Sequence, residues 1–576
     1  MLSLQPRSFP LISLSLVFAH SRLAQHCQDG VTVQLKVETP REMLCENSDG
    51  SVAAPLRERT MIFPLPAAVL TPYLAFALCM AIYLLPFMRL VIIGSDEGSL
   101  VGGAVRILHG QVFARDFFEV MGPGTFYWLA AMFKLFGATF LVARIWLFIT
   151  SLGTLLSMYF LSRRICTGYQ IIPPILLVSV YFSTMWPMVN HHVDSNFFAL
   201  LSVVCIVLWQ DLRKSYLLLA AGSLAGVTTC ILQPKGLFLL LAFCVWLLVQ
   251  IRRRPELSSA LIIVVGGYLC VVGPTLFYFW SRGAFSELIY MNFIWPMHHY
   301  GAVNAIPYAR GIALFWNHWA LPIHGVRWLI PLAVILILPF ALVVALPVLV
   351  PILSIPIGKN NLSPVILLYW VCGWALWLSE IHRRDIAHLI SGSPLLIVLC
   401  IHFLLEYRVK VAMLALQFLA ISALGLATVN LFIVLSAKSF PTRAGTIAMF
   451  KQNSAIEFLD NHVPPGTEIF VYPASPMYYF LTTTTNPTPY SLLLYNYNTP
   501  SQFRDVIRVL DERKVRYVLW DTSFELTAAP YFSSEMYHPA GGFLMEPYLE
   551  SHYKVVKDID GARIMELNED DRTAKR

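Results

Sequence analysis

Charged residues are scarce in this chain. Asp, Glu, Lys and Arg make up 13% of its 576 residues, about half of the roughly 25% usual in a soluble globular domain. That scarcity excludes a soluble enzyme, because 57% hydrophobic residues and a mean hydropathy of +0.64 leave too little polar surface to face water. Such a composition belongs in lipid, where a helix needs about 20 apolar residues to cross the hydrocarbon layer. Neither sign of charge dominates. The net charge of +7, from 41 Lys and Arg against 34 Asp and Glu, is what basic cytoplasmic loops supply, so no nucleic-acid partner is expected. The ten cysteines show no CxxC or Cys/His metal spacing and read as small buried hydrophobes. None follows Cys400, so the C-terminal part of the chain has no disulfides.

Long apolar stretches place about 11 transmembrane helices, near 66–93, 141–161, 170–188, 195–209, 216–232, 236–250, 259–281, 327–353, 363–379, 390–405 and 411–437. The runs 195–209, 236–250 and 390–405 are short for a crossing and must borrow flanking residues or be re-entrant. With the N-terminus inside, the inner loops hold Arg163-Arg164, Arg213-Lys214, Arg252-Arg253-Arg254, Lys359, and Arg408 with Lys410, as the positive-inside rule requires. Residues 94–140, 189–194, 282–326 and the tail from 438 then lie outside. Arg383-Arg384, in the outside loop 380–389, break the rule. Either they serve a function or they pair with Glu380 and Asp385.

Three domains are expected. Residues 1–60 carry one short apolar run, Phe9 to Ala19, followed by an irregular polar stretch, and read as a disordered or mis-annotated extension with Met61 as the initiator. Residues 61–437 form the membrane domain. From 438 to 576 the rhythm changes: Ser454–His462 reads as an amphipathic helix stopped by Pro464-Pro465-Gly466, Thr467–Tyr472 as a strand, Ser501–Lys514 as a helix and Arg516–Trp520 as a strand. This is a small extracytoplasmic α/β domain, and without a GxGxxG or phosphate-loop pattern it is assigned no nucleotide.

The most informative stretch follows the first span. It contains Gly94-Ser-Asp-Glu-Gly-Ser99, Ala104-Val-Arg-Ile-Leu-His-Gly110, Arg115-Asp-Phe-Phe-Glu119 and Gly122-Pro-Gly-Thr-Phe-Tyr-Trp128. An Asp-Glu pair at the outer end of a first helix sets carboxylates at the membrane surface, where an acceptor hydroxyl in water meets a lipid-linked substrate. A plain helix end at the headgroups would also place them there. The order of landmarks decides: Asp96-Glu97, His109-Gly110, Pro123, Tyr127-Trp128, Leu135-Phe136-Gly137, Arg144 and Arg163-Arg164. In this the chain resembles the GT-C membrane glycosyltransferases, specifically the protein O-mannosyltransferase and aminoarabinose-transferase-like branch, glycosyltransferase family 39 and its relatives. The detailed match covers roughly residues 90–165. Many relatives have Lys-Pro-Pro where this chain has Met121-Gly122-Pro123; if that lysine contacts the donor phosphate in relatives, another cation must replace it here.

The resemblance implies a polytopic helical GT-C protein of the plasma (inner) membrane, with its catalytic face and C-terminal domain extracytoplasmic. It implies transfer of a sugar from a polyprenyl-phosphate donor to a lipid, glycan or protein acceptor, by single displacement with inversion. Asp96, with Glu97 beside it, is the expected general base, since one carboxylate suffices to take the acceptor proton. The departing phosphate needs positive charge, for which Arg383, Arg384, His388, Lys235 and Arg115 are the candidates. Lys235 reads equally as a snorkelling lysine, and Arg115 as the partner of Asp116. His191, His192, Asp194, Asp116 and Tyr127 are expected to line the substrate cavity. Two histidines and an aspartate at 190–195, completed by His298-His299, would suit a metal. Adjacent histidines diverge on most backbones, however, so no metal or other cofactor is indicated. Trp295, Tyr300 and Tyr308 are candidates to stack on a sugar. The alternative reading is a transporter or flippase of lipid-linked sugars; it calls for internal repeats and ionisable residues at the bilayer midplane, whereas here no repeat is seen and charges gather in the loops.

Overall fold

The structure, a computed structural model, describes residues 67–569 apart from 167–170, 173–174, 176–185, 301–304, 316–329, 359–362, 407–409, 529–533 and 560. The expected extension 1–60 and Met61 lie outside the described residues, as does most of the expected span 170–188. The described residues, all within 67–569, belong to one compact unit.

The protein is a multi-pass membrane protein built of helices. Helix α1 (Ala67–Leu84) stops where Pro86 removes an N–H donor, and the chain tightens into a 3-10 turn over Leu85–Arg89. Two helices outside the apolar spans follow, α2 (Ser95–Leu108) and α3 (Pro123–Phe136), the latter opened by a proline at its first position and closed at Gly137, whose φ is +91°. Then come α4 (Phe140–Ile165), α5 (His191–Leu212), α6 (Ser215–Ile231), α7 (Gln233–Arg253) and α8 (Ser258–Ser281). After these run α9 (Ile330–Gly358), α10 (Pro364–Leu378), α11 (Ile386–Gly392), α12 (Pro394–Glu406) and α13 (Lys410–Leu435).

Among the described residues six helices are long and apolar enough to cross a membrane, or seven if α11 and α12 count as one. The three short runs resolve differently. The runs at 195–209 and 236–250 do borrow their flanks, becoming 22 and 21 residues long. The third breaks: α11 and α12 meet at 73°, because Pro394 cannot continue the hydrogen-bond ladder of α11.

Strands begin at Lys438. β1 (Lys438–Thr442) and β2 (Gly445–Met449) form a hairpin, with Lys438 opposite Met449. A four-stranded sheet of order β3-β4-β6-β5 joins β3 (Ile469–Tyr472), β4 (Tyr517–Asp521), β5 (Tyr553–Ile559) and β6 (Ala562–Leu567). β3 and β4 run parallel, as the βαβ pattern predicts, and the return is made by α14 (Pro500–Arg513), whose Thr499 and Gln502 form a capping box. This C-terminal layer reaches the α2 region directly. Gly98 lies so close to Met477 that a Cβ there would overlap the Met477 backbone, and the Phe118 amide donates to the Pro489 carbonyl at 2.9 Å.

Candidate functional site

Asp96 and Glu97 do not end the first helix. They occupy the first turn of α2, because the 3-10 turn and the extended segment after Arg89 separate that helix from α1. The exposed amides of a helix N-terminus favour carboxylates at this position. The two neighbours then part company. Glu97 is buried, receiving Arg144 Nη2 at 2.7 Å and the Val189 amide at 3.0 Å. Arg144 in turn donates to the carbonyls of Pro187 (2.6 Å) and Leu90 (2.9 Å). With both its oxygens engaged, Glu97 ties α2, α4 and the segment before α5 together and positions its neighbour. Asp96 stays partly accessible, and Asn190 Nδ2 reaches its Oδ2 at 3.5 Å.

A second carboxyl group stands beside Asp96. Glu119, in the segment between α2 and α3, is 2% exposed, and its Oε1 has no hydrogen-bond partner. Burial pushes its pKa up to about 7; the Ser491 and Ser99 hydroxyls and the Arg106 charge offset that burial in part, and the Asp96 charge adds to it. Arg106 is fixed by the carbonyls of Thr488 (2.6 Å) and Asn486 (3.4 Å), so residues 486–491 of the C-terminal part roof this corner. A half-buried carboxylate next to a buried carboxyl group that is about half protonated near pH 7 is an arrangement suited to moving one proton.

On the far side of the α5 N-terminus lies a different cluster. Lys235, in the first turn of α7, is wholly buried, and its Nζ donates to Asn196 Oδ1 (2.9 Å) and Ser391 Oγ (3.0 Å) and pairs with Glu380 Oε1 (2.7 Å). Neither a snorkelling lysine nor an open phosphate ligand, it neutralises a buried acid inside the bundle. Glu380 Oε1 also meets His192 Nδ1 (3.1 Å) and accepts from Ser391 Oγ (3.0 Å). The His192 and His388 rings face each other edge-on, 4.6 Å apart. His388 Nδ1 sits 2.8 Å from Asp385 Oδ1, while Asp385 Oδ2 accepts from Arg383 Nε at 2.8 Å.

The remaining expected site residues are dispersed. His191, His192 and Asp194 open α5 rather than lying in a loop. Asp194 turns away to accept from Thr125 Oγ1 (2.8 Å) and Trp146 Nε1 (3.1 Å), a buried tie between α3, α4 and α5 and not a cavity wall. The Tyr127 hydroxyl goes to that of Tyr278, 3.3 Å off. Arg115 spends Nε and Nη2 on Asp116 at 2.9 and 2.8 Å, the local pairing that holds Asp116 below the usual carboxylate range. Arg383 is paired with Asp385. Arg384, partly accessible, gives Nε to the Ile381 carbonyl at 3.0 Å and lies over the Tyr308 ring. Trp295 is buried among Phe118, His299 and Tyr497, a packing anchor rather than a sugar platform. The grouping of His191, His192 and Asp194 with His298 and His299 is not formed. Among the described residues the histidine and carboxylate ligands that converge are His192, Glu380 and His388.

No protein-family model matches the chain, and no curated protein matches it by sequence. Its fold is nevertheless shared with solved structures. ArnT from Cupriavidus metallidurans, bound to undecaprenyl phosphate, superposes with a TM-score of 0.52 at 12% identity over 87% of this chain and 98% of that one. The same protein in its apo state gives 0.54 over 86% and 97%. The Archaeoglobus fulgidus oligosaccharyltransferase, in complex with Zn and sulfate, gives 0.50 at 13% identity over 84% and 71%. The chain therefore shares the fold of ArnT and of the archaeal oligosaccharyltransferase.

Proposed function

We propose that the chain is a membrane glycosyltransferase that moves a sugar from a polyprenyl-phosphate donor to an acceptor on the extracytoplasmic side of the plasma (inner) membrane. The observation that carries this reading is Asp96, a partly accessible carboxylate at the start of α2 beside the buried Glu119, within a fold shared with ArnT bound to undecaprenyl phosphate. Asp96 takes the proton from the acceptor hydroxyl as that oxygen attacks the anomeric carbon. The bond from that carbon to the phosphate oxygen breaks, and the phosphate leaves with the electron pair from the opposite face, so one displacement inverts the centre.

Of the candidate cations, Arg384 is the one we assign to the leaving phosphate. Its Nε bonds a backbone carbonyl, whereas Arg383, Lys235, His388 and Arg115 each meet a carboxylate. The sidedness rests on the basic residues at the opposite ends of the spans, Arg163-Arg164 and Arg252-Arg253-Arg254 among them. A lipid, glycan or protein hydroxyl outside the membrane is the acceptor class.

The test is transfer from a panel of radiolabelled polyprenyl-phosphate sugars to membrane extract by the purified protein, wild type beside Asp96→Asn. The expected result is transfer that falls at least about a hundredfold in the variant, the scale of losing a general base. Transfer unchanged in Asp96→Asn removes that residue as the base, and no transfer from any donor overturns the reaction in favour of carriage of lipid-linked sugars.

A further inference from the structure

We propose that His192, Glu380 and His388 hold a divalent transition-metal ion of the zinc class. This does not rest on the glycosyl-transfer reading; it stands on the ligand geometry. The three side chains come from three separate elements, namely the first turn of α5, the turn after α10, and α11, and all three are buried. Each offers a ligand atom, and these atoms lie within 4.8 Å of one another, so they need to draw in by less than about 1 Å to reach tetrahedral zinc–nitrogen and zinc–oxygen distances.

Two details point to a cation rather than to a closed hydrogen-bond network. Glu380 is wholly buried, and its Oε1 is taken by Lys235, His192 and Ser391 while its Oε2 has no partner. A buried carboxylate oxygen left without a donor is costly, and an ion at that oxygen removes the cost. His388, for its part, has Nδ1 held by Asp385 Oδ1 at 2.8 Å. A carboxylate there fixes the proton on Nδ1 and turns the Nε2 lone pair outward, the arrangement that orients metal-bound imidazoles.

Two imidazoles and one carboxylate form a set that binds zinc with a fourth position open. Magnesium and calcium prefer oxygen ligands and fit this set poorly. The surrounding charges already balance, Glu380 against Lys235 and Asp385 against Arg383. An ion with charge 2+ therefore keeps its own charge here, and the open position favours an anionic oxygen.

The experiment uses the full chain purified in detergent, stripped with a chelator and titrated with Zn2+, with bound metal measured by mass spectrometry. Wild type is expected to retain one Zn2+ per chain. Asp385→Asn, which leaves all three ligands in place, is expected to bind about 10- to 100-fold more weakly, and His388→Ala to lose the site. His299→Ala, outside the cluster, is the control for adventitious histidine binding and is expected to bind as wild type does. Wild type without stoichiometric Zn2+, or a monodisperse His388→Ala that binds as tightly as wild type, overturns the proposal. Should His388→Ala aggregate, the visible spectrum of wild type loaded with Co2+ decides. Intense bands of a four-coordinate ion support the site, and the weak spectrum of a hexaaqua-like ion overturns it. Binding is read without sugar transfer, so failure of the proposed reaction leaves this result standing on its own.

Discussion

On one side of the α5 N-terminus, Asp96 is partly accessible and Glu119 keeps one oxygen without a partner, under a roof formed by residues 486–491. On the other side, Glu380 and Asp385 each face a cation at 2.7–2.8 Å within the helical bundle. Both regions gather acids beside the same short segment, yet they treat charge in opposite ways. The first keeps a partly accessible carboxylate beside a buried carboxyl group, and the second pairs each buried acid with a basic side chain. Proximity to a cluster of ionisable residues is therefore a poor guide to chemistry. How much of each group is already spent on its neighbours says more.

The contrast can be broken most directly at Lys235. Lys235→Met leaves Glu380 buried without its cation and is expected to destabilise the protein by about 3–5 kcal/mol, read as a lowered melting temperature in detergent. If Lys235 instead served an open phosphate site, the melting temperature would hold and only the KM for donor would rise.

Glu119 sharpens the other side. Its folded pKa of about 7 lies above the ordinary value of 4.5, so the folded protein binds the extra proton between those pH values and stability falls as pH rises through that window. Glu119→Gln is expected to abolish this slope, and above pH 7 to be the more stable protein by up to about 3 kcal/mol. Parallel wild-type and variant melting curves across pH 4.5 to 7 would show that the carboxyl group is not buried as described. A smaller effect is expected at Gly98. Gly98→Ala pushes against the Met477 backbone and is expected to cost about 1–3 kcal/mol. It should also lower transfer by shifting the Met477 segment packed against α2, and a variant with unchanged melting and unchanged transfer would separate that contact from the site.

Much of this architecture is legible in the sequence because it depends on local runs. Apolar length marks the spans, and the alternation of helix and strand after 438 marks the parallel pair β3 and β4. Asp96 also stands out locally. What escapes is pairing across long separations. Nothing near Glu380 in the sequence announces Lys235, 145 positions earlier, so Glu380 reads as a mate for the neighbouring arginines when only Asp385 plays that part. Glu119 is missed for a related reason. One of its hydrogen-bonding partners, Ser491, lies 372 positions later, although a glutamate directly after Phe117-Phe118 was a local sign of an acid in apolar surroundings.

The Glu97–Arg144 tie also bears on the order of events during synthesis. Arg144 takes two of its partners, Leu90 and Glu97, from chain made before it and the third, Pro187, from chain made after it. An arginine entering lipid alone costs up to about 2.5–3.5 kcal/mol at the centre of a helix. Here the counter-charge has already left the ribosome when α4 does. Both charged members of the tie thus precede the end of α4 in the chain, and only the Pro187 carbonyl is contributed later.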